Sequence, residues 1–211
     1  MLTVGPDPAV VERMLVDGLL RCPDCAGPLS RWGHVARRFV RTAPGAVQKI
    51  RLRRAICRLT DDRGCGRTHV LLPAFLLGRR LDVVEVIWSA LRACVDGFGW
   101  RRLATLMDRP VSTVRGWVGR ARVRAGMIRD RFTQLEHLLV AADGDDMTRV
   151  APTGGGLGDA VAQIGVCLAA LRRARPAVLS AMSVARAVAV LSGGWLLSTR
   201  AVRPVLPGLP T

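Results

Sequence analysis

Four cysteines in the first third of the chain constrain its fold more than any other feature. Cys22-Pro-Asp-Cys25 places two thiols three positions apart, and Cys57 and Cys65 follow. Two thiolates on one tight turn can reach the same tetrahedral ion, as in a zinc knuckle. A β-hairpin that leads to a second ligand pair gives the layout of a zinc ribbon. We therefore expect Cys22, Cys25, Cys57 and Cys65 to hold one structural zinc ion.

The second cysteine pair departs from the usual spacing, because seven residues separate Cys57 from Cys65. An inserted loop, residues 59–63, would keep the tetrahedron and alter the turn. His69, four positions after Cys65, is an alternative ligand, and His34 is a weaker one. A redox role for the CPDC pair is disfavoured, because no βαβ pattern of the thioredoxin type surrounds it.

The segments around the cysteines predict a small ribbon. Residues 8–17 have the apolar spacing of a short helix. Residues 33–42 and 46–57 are studded with arginine, and the second stretch alternates apolar and polar positions. The Pro44-Gly45 dipeptide between them is typical of a turn, so these stretches predict a hairpin. Such a module has little apolar area, and metal binding would supply the missing folding free energy.

Charge indicates the kind of partner. The formal net charge is +16, and every basic residue except Lys49 is arginine. Residues 31–67 hold ten arginines against two acids, and residues 97–131 hold nine against two. Such an excess favours a polyanion, with nucleic acid ahead of an anionic membrane surface. The start of the chain has no basic segment typical of a secretory signal, so we expect a cytoplasmic, nucleoid-associated protein.

Residues 97–124 predict a helix-turn-helix. A helical apolar period begins at Leu81 and stops at Gly97, and a short helix follows over 100–107. Asp108-Arg109-Pro110 breaks it, and a third helix is expected from 111 through 124, with a possible extension to 140. The side chains expected to face inward are Leu103, Leu106, Val114, Trp117 and Val118.

The outer face of the third helix has the residue types of a DNA recognition helix. Short polar side chains reach base edges, arginine binds guanine or phosphate, and glycine permits close approach. The candidates on this face are Ser112, Thr113, Arg115, Gly116, Gly119 and Arg120. Phosphate contacts, which position the protein without selecting sequence, are expected from Arg101, Arg102, Arg109, Arg122 and Arg124. The alternative to a DNA-binding helix-turn-helix is a plain helical hairpin with a solvated basic face.

Three segments together resemble a known family: CPDCAGPLSRWGHVARRFVR, THVLLP and GFGWRRLATLMDRPVSTVRGWVGRAR. They resemble an uncharacterised actinobacterial family that combines a zinc ribbon with a helix-turn-helix and is often encoded beside insertion sequences. The same order of modules looks like the N-terminal DNA-binding part of several insertion-sequence transposases. The resemblance covers roughly residues 10–125, and it implies DNA binding linked to mobile elements.

Catalysis is not expected. A nuclease of the RNase H type needs dispersed carboxylates on a mixed sheet. After the third helix, however, Asp143, Asp145 and Asp146 crowd into one Gly-bearing stretch. The GGGLG run at 154–158 lacks the lysine and the preceding strand of a phosphate-binding loop.

The C-terminal third predicts two apolar helices, over 159–175 and 177–191, separated by Pro176. A membrane span is disfavoured because Arg186 lies near the centre of the second, where charge is costly. We expect the pair to pack together or to form a homodimer, or to contact a transposase. Cys94 and Cys167, each isolated on an apolar helix, are expected to be ordinary buried cysteines.

The expected fold is therefore mainly α with a small N-terminal β-hairpin zinc ribbon, a three-helix helix-turn-helix domain and a C-terminal helical pair. The expected segments are the ribbon-like module (1–75), the helix-turn-helix domain (80–141), a linker (142–158) and the C-terminal helices (159–203). The expected function is that of a double-stranded DNA-binding protein in transposition or transcription. The alternatives are a protein-interaction adaptor and an RNA-binding ribbon, although aromatic stacking positions are not evident for the latter.

Overall fold

A computed structural model describes residues 1–42, 46–58, 64–143, 147–180 and 182–198. The expected Pro44-Gly45 turn, the inserted loop 59–63, Asp145, Asp146 and the tail after 198 lie outside these ranges. The described chain forms two compact units. The first, here called the ribbon unit, comprises Met1–Val84 with Ala189–Trp195, and the second, the helical unit, comprises Glu85–Val188 with Leu196–Ser198.

The ribbon unit is built on a four-stranded sheet of order β1-β6-β5-β2. These strands are β1 (Leu2–Val4), β2 (Leu29–His34), β5 (Arg53–Cys57) and β6 (Thr68–Pro73). β1 runs parallel to β6, and the other neighbouring pairs are antiparallel. Helix α1 (Pro8–Val16), expected from the sequence, is capped by Asp7, whose carboxylate accepts the Ala9 N–H at 2.8 Å.

The predicted hairpin is present, but it is longer than expected. β3 (Arg38–Arg41) pairs antiparallel with β4 (Val47–Ile50), and β2 pairs with β5 beyond them. The Val35 N–H bonds the Leu52 carbonyl at 2.9 Å and links the two ladders. The β2–β5 and β3–β4 ladders are thus consecutive parts of one interrupted two-stranded arm, here called the ribbon hairpin.

The expectation of a mainly α chain was too narrow, because the described residues form a mixed α/β structure. No strand was expected over residues 2–4 or 68–73, yet β1 and β6 complete the sheet. Leu2, Val4 and Leu71 from these strands enter one buried core with Val11 and Leu15 of α1. Extra strands therefore supply apolar area that a bare hairpin lacks.

The helical unit begins with the three helices that the sequence predicts. They are α2 (Val84–Val95), α3 (Trp100–Leu106) and α4 (Val111–Asp143). Val114, Trp117 and Val118 are buried as expected, and so is Leu103. The prediction that Leu106 faces inward is wrong, because this residue is 61% exposed. The neighbouring buried positions are Leu103 and Ala104, and at about 100° per residue Leu106 falls outside that face.

The C-terminal helices differ from the expected pair. α5 (Gly156–Ala174) packs along α4, with Leu157, Ile164 and Leu168 among its buried residues. The single helix expected over 177–191 is instead split into α6 (Pro176–Ser180) and α7 (Val184–Leu191). Ser183 explains the second start, because its hydroxyl accepts the Arg186 N–H at 3.3 Å as an N-cap. Among the described residues, no helix is both long enough and apolar enough to cross a bilayer.

Candidate metal centre and basic helical face

The four predicted cysteines come together at the edge of the ribbon core. The sulfurs of Cys22, Cys25, Cys57 and Cys65 all lie within 4.8 Å of one another. The Cys22–Cys65 and Cys25–Cys57 sulfur pairs are 3.6 and 3.5 Å apart. Sulfurs bound at about 2.3 Å from a tetrahedral zinc ion would be separated by about 3.8 Å. The donor set therefore fits one four-coordinate metal ion.

The first pair lies on a tight turn that presents both sulfurs. The Ala26 N–H bonds the Cys22 carbonyl at 2.9 Å, and the Cys22 N–H bonds the Gly27 carbonyl at 2.8 Å. Ala26 closes this turn at a φ of 57°. The Asp24 N–H points at the Cys22 sulfur, 3.4 Å away. Backbone donors aimed at sulfur stabilise thiolates, so the turn is already arranged for metal ligation.

The second pair reaches the same centre without a short turn. Cys57 ends β5, where its N–H bonds the Arg67 carbonyl at 2.9 Å. The backbone N–H of Cys65 is directed at the Cys57 sulfur. Gly64 and Gly66 on either side of Cys65 have φ values of 112° and 68°, which glycine adopts without strain. These glycines let the chain return to the site despite the seven-residue separation.

An ion pair holds the two ligand segments together. Arg67, two residues after Cys65, donates to the Asp24 carboxylate at 3.1 Å. The hydrogen bond from Arg67 is the main reason that the pKa of Asp24 is lowered. The contact ties the CPDC turn to the approach of the second pair.

The thiols differ in their electrostatic surroundings. Burial raises the pKa of Cys22 to about 12 and raises that of Cys57 as well. The Gly27 N–H is the main cause of the lowered pKa of the exposed Cys25. Buried thiolates are costly unless a cation compensates them, and a coordinated metal ion supplies that charge.

Gly27 is a site residue that the sequence analysis missed. A Cβ atom at this position would lie 3.0 Å from the Cys57 sulfur and 3.2 Å from the Gly64 Cα. It would also lie 3.4 Å from the Cys25 sulfur. The signal was a glycine two positions after the second cysteine of the pair, where the backbone must pass close to the ligands.

The two histidine alternatives lie in different places. His69 is buried on β6, with its Nε2 atom 3.3 Å from the Cys22 sulfur. It therefore lies beside the cysteine cluster, and Cys22, Asp24 and His69 form a second group of possible ligand atoms. His34 ends β2 on the exposed surface, within 3.5 Å of the Arg53 guanidinium. The four sulfurs provide four donor atoms for a tetrahedral ion, whereas the group with His69 provides three.

The predicted DNA-binding residues lie on α3 and α4 of the helical unit. Most of them are exposed: Arg101, Arg102, Ser112, Arg115, Gly119, Arg120 and Arg122. Thr113, Gly116 and Arg124 are half-buried. No acidic residue occurs in α4 before Asp130, so the first nineteen residues of the helix carry only positive charge.

Trp100 organises the arginines at the start of this surface. The Arg101 and Arg115 guanidinium carbons lie 4.9 and 5.9 Å from the centre of its ring. The Arg102 guanidinium lies over Phe98 at 5.0 Å. A cation over an aromatic face is held by the ring quadrupole, so these contacts restrict the side chains while leaving them exposed.

Two of the predicted DNA-contact residues have hydrogen bonds within the protein. Arg109 is 8% exposed, and its guanidinium donates to the carbonyls of Met107 and Asp108 at 3.1 and 2.9 Å. It stabilises the end of α3 instead of standing free for phosphate. Arg120 donates to the Gly116 carbonyl at 2.7 Å, so in this structure its side chain covers the glycine that was expected to open the helix surface.

Comparison with protein families finds a match in the first half of the chain. A family model described as a domain of unknown function (DUF6431) matches residues 22–103, which is less than half of the chain. The matched region runs from the first cysteine of the cluster into α3. No curated protein and no solved structure matches the chain.

Proposed function

We propose that this chain is a double-stranded DNA-binding protein that uses α3 and α4 as a helix-turn-helix, with no catalytic role. The observation that carries the proposal is the exposed outer face of the acid-free first half of α4, with Arg115 held against Trp100. Arginine near the start of a recognition helix can bind the O6 and N7 atoms of guanine. Arg101, Arg102 and Arg122 flank this position and supply phosphate contacts.

The helix core supports the same proposal. Val114, Trp117 and Val118 face the protein interior, and each is at most 2% exposed. Ser112, Arg115 and Gly119 lie at helical intervals on the opposite side. The buried face fixes the orientation of α4, so its outer residues can be presented to a major groove.

An electrophoretic mobility-shift assay on duplexes from the flanks of the gene tests this proposal. Arg115→Ala should abolish the preference among sequences, and Arg122→Ala should weaken binding to all of them and lower the salt slope by about one. Arg172→Ala is the matched control, because this exposed arginine lies on α5. Absence of binding at low salt, or equal losses for Arg115→Ala and Arg172→Ala, contradicts the proposal.

We further propose that the cysteine centre holds zinc in a structural role. Four sulfurs in a tetrahedral set suit zinc or iron, and zinc has no redox chemistry. Elemental analysis of protein purified without chelator should find about one zinc per ribbon unit, and chelation should unfold β2 and β5. Cys25→Ser should lose the metal, whereas Cys94→Ser should keep it because Cys94 lies on α2 outside the cluster. Iron in place of zinc, or metal retained by Cys25→Ser, refutes this assignment.

We propose that the DNA binding serves transposition, and transcriptional regulation is the second candidate process. A transposase or a second copy of the chain remains a proposed partner. The packing of α5 against α4 already covers much of the α5 apolar face that would serve a dimer.

A further inference from the structure

The ribbon hairpin exposes two of the few aromatic side chains in this protein. The chain has five tryptophans, four phenylalanines and no tyrosine. Trp32 on β2 and Phe39 on β3 are 56% and 60% exposed. Neither belongs to the ribbon core, which is formed by other residues. Their rings are available to a ligand.

Exposed cations lie on the same hairpin as these rings. Arg37, Lys49 and Arg51 are exposed, and none has an acidic partner among the residues that the structure describes. Lys49 lies directly opposite Phe39 in the ladder, and its Nζ atom is 5.7 Å from the ring centre.

Other cations of the hairpin are already engaged within the protein. Arg31 and Arg53 pair with Glu12 of α1 at 3.0 and 2.7 Å. Arg41 pairs with the buried Asp82 at 2.7 Å. Arg38 and Arg54 donate to the Arg80 carbonyl and the Thr68 hydroxyl. Arg37, Lys49 and Arg51 therefore remain as exposed hairpin cations that are available to a ligand.

The backbone places the two rings along one arm. The register shifts between Arg31 and Gly33, so Trp32 lies at a bulge, and bulges redirect side chains out of the regular ladder. Trp32 and Phe39 are seven positions apart, a distance of at most about 23 Å in an extended strand. An arm of this length, carrying rings and cations, can accompany a short run of nucleotides.

We propose that the ribbon hairpin binds a single-stranded nucleic acid, with Trp32 and Phe39 stacking on bases and Arg37, Lys49 and Arg51 binding phosphates. Base stacking on aromatic side chains requires unpaired bases, because duplex bases are already stacked on each other. The same chemistry accepts DNA and RNA, since stacking and charge do not depend on the 2′-hydroxyl. This site lies in the ribbon unit and does not rest on the helix-turn-helix proposal.

Fluorescence anisotropy on the full, zinc-loaded chain tests the inference with labelled dT20, rU20 and an abasic 20-mer. The abasic strand keeps the phosphates and lacks the bases. Wild-type protein should bind dT20 and rU20 more tightly than the abasic strand. Trp32→Ala and Phe39→Ala should each weaken dT20 binding at least about fivefold and leave abasic binding unchanged.

Val47→Ala is the matched control, because Val47 is 61% exposed on the same hairpin and cannot stack. Zinc content and circular dichroism of each variant establish that the ribbon is folded. Arg115→Ala, which tests duplex binding, should leave the ratio of dT20 to abasic affinity unchanged, so the two proposals fail separately. Equal wild-type affinity for dT20 and the abasic strand overturns the inference. A folded Trp32→Ala/Phe39→Ala double variant that binds dT20 like the wild type also overturns it.

Discussion

Replacing Gly27 by alanine is the most direct test of how closely the backbone packs around the cysteine centre. The added methyl group would lie 3.0 Å from the Cys57 sulfur, 3.2 Å from the Gly64 Cα and 3.4 Å from the Cys25 sulfur. Favourable carbon contacts are about 3.5–4.0 Å long, so the contacts with the Cys57 sulfur and the Gly64 Cα are too short. A bound metal ion, as proposed above, would fix the two sulfurs, and Gly64 contributes backbone. None of the three neighbours is a flexible side-chain end.

The expected cost follows from this rigidity. Added methyl groups in well-packed sites cost about 1–3 kcal/mol. If the strain falls on the metal-bound state, each 1.4 kcal/mol weakens metal binding about tenfold. Gly27→Ala should therefore bind zinc about 5- to 150-fold more weakly than the wild type.

Competition with a chromophoric chelator measures this change in zinc affinity. Gly165→Ala is the matched control, because a Cβ at Gly165 meets nothing within 4 Å and the residue lies inside α5. It should leave zinc affinity unchanged and stabilise the helix by about 0.8–1 kcal/mol. Wild-type zinc affinity in Gly27→Ala would refute the close packing described for this site.

Two further predictions concern the helical unit. Trp117→Ala should lower the free energy of unfolding, measured by urea denaturation, by about 3–5 kcal/mol, because Trp117 is 2% exposed. The control Trp32→Ala should change it little, because Trp32 is 56% exposed. The Thr153 N–H and hydroxyl, at 2.7 and 2.8 Å, lower the pKa of Asp159, so this contact stabilises the start of α5 above the unfolded pKa and is lost as the pH falls through the folded one. The protection factor of the Thr153 amide, which is its exchange rate relative to the unstructured rate at the same pH, should therefore fall on acidification in the wild type and be low throughout in Asp159→Ala; protection independent of pH in the wild type would contradict the contact.

The helices after residue 84 were largely predictable because their signals are local. Apolar spacing places α2, α3 and α4 close to their observed bounds, and the Asp108-Arg109-Pro110 break separates the last two. The error at Leu106 has a simple cause: a helix of seven residues has few positions from which to locate its buried face. The division into α6 and α7 was missed because a serine cap has a weaker signal than the surrounding apolar residues.

The cysteine cluster of the ribbon unit could be predicted from the sequence, whereas its sheet could be predicted only in part. Cysteine spacing brought Cys22 and Cys25 together at once, and the same four sulfurs meet in the structure. Strands β1 and β6 pair in parallel across nearly seventy residues, however, and such non-local pairing leaves little trace in a single sequence. Gly27 and the contact between His69 and Cys22 likewise depend on segments that meet only after folding.

The arginines show why net charge alone is a poor guide to a binding surface. Arg109 is used to cap a helix, and Arg41 and Arg53 are neutralised by acidic neighbours. By contrast, Arg37 is exposed on the ribbon hairpin, and Arg115 is exposed on the acid-free face of α4 beside Trp100. A formal charge of +16 therefore overstates the positive surface that a polyanion can reach. The two proposed binding surfaces are therefore distinguished by their neighbouring residues, an acid-free helix face in one unit and exposed aromatic rings in the other, so duplex and single-strand binding can be tested by different substitutions.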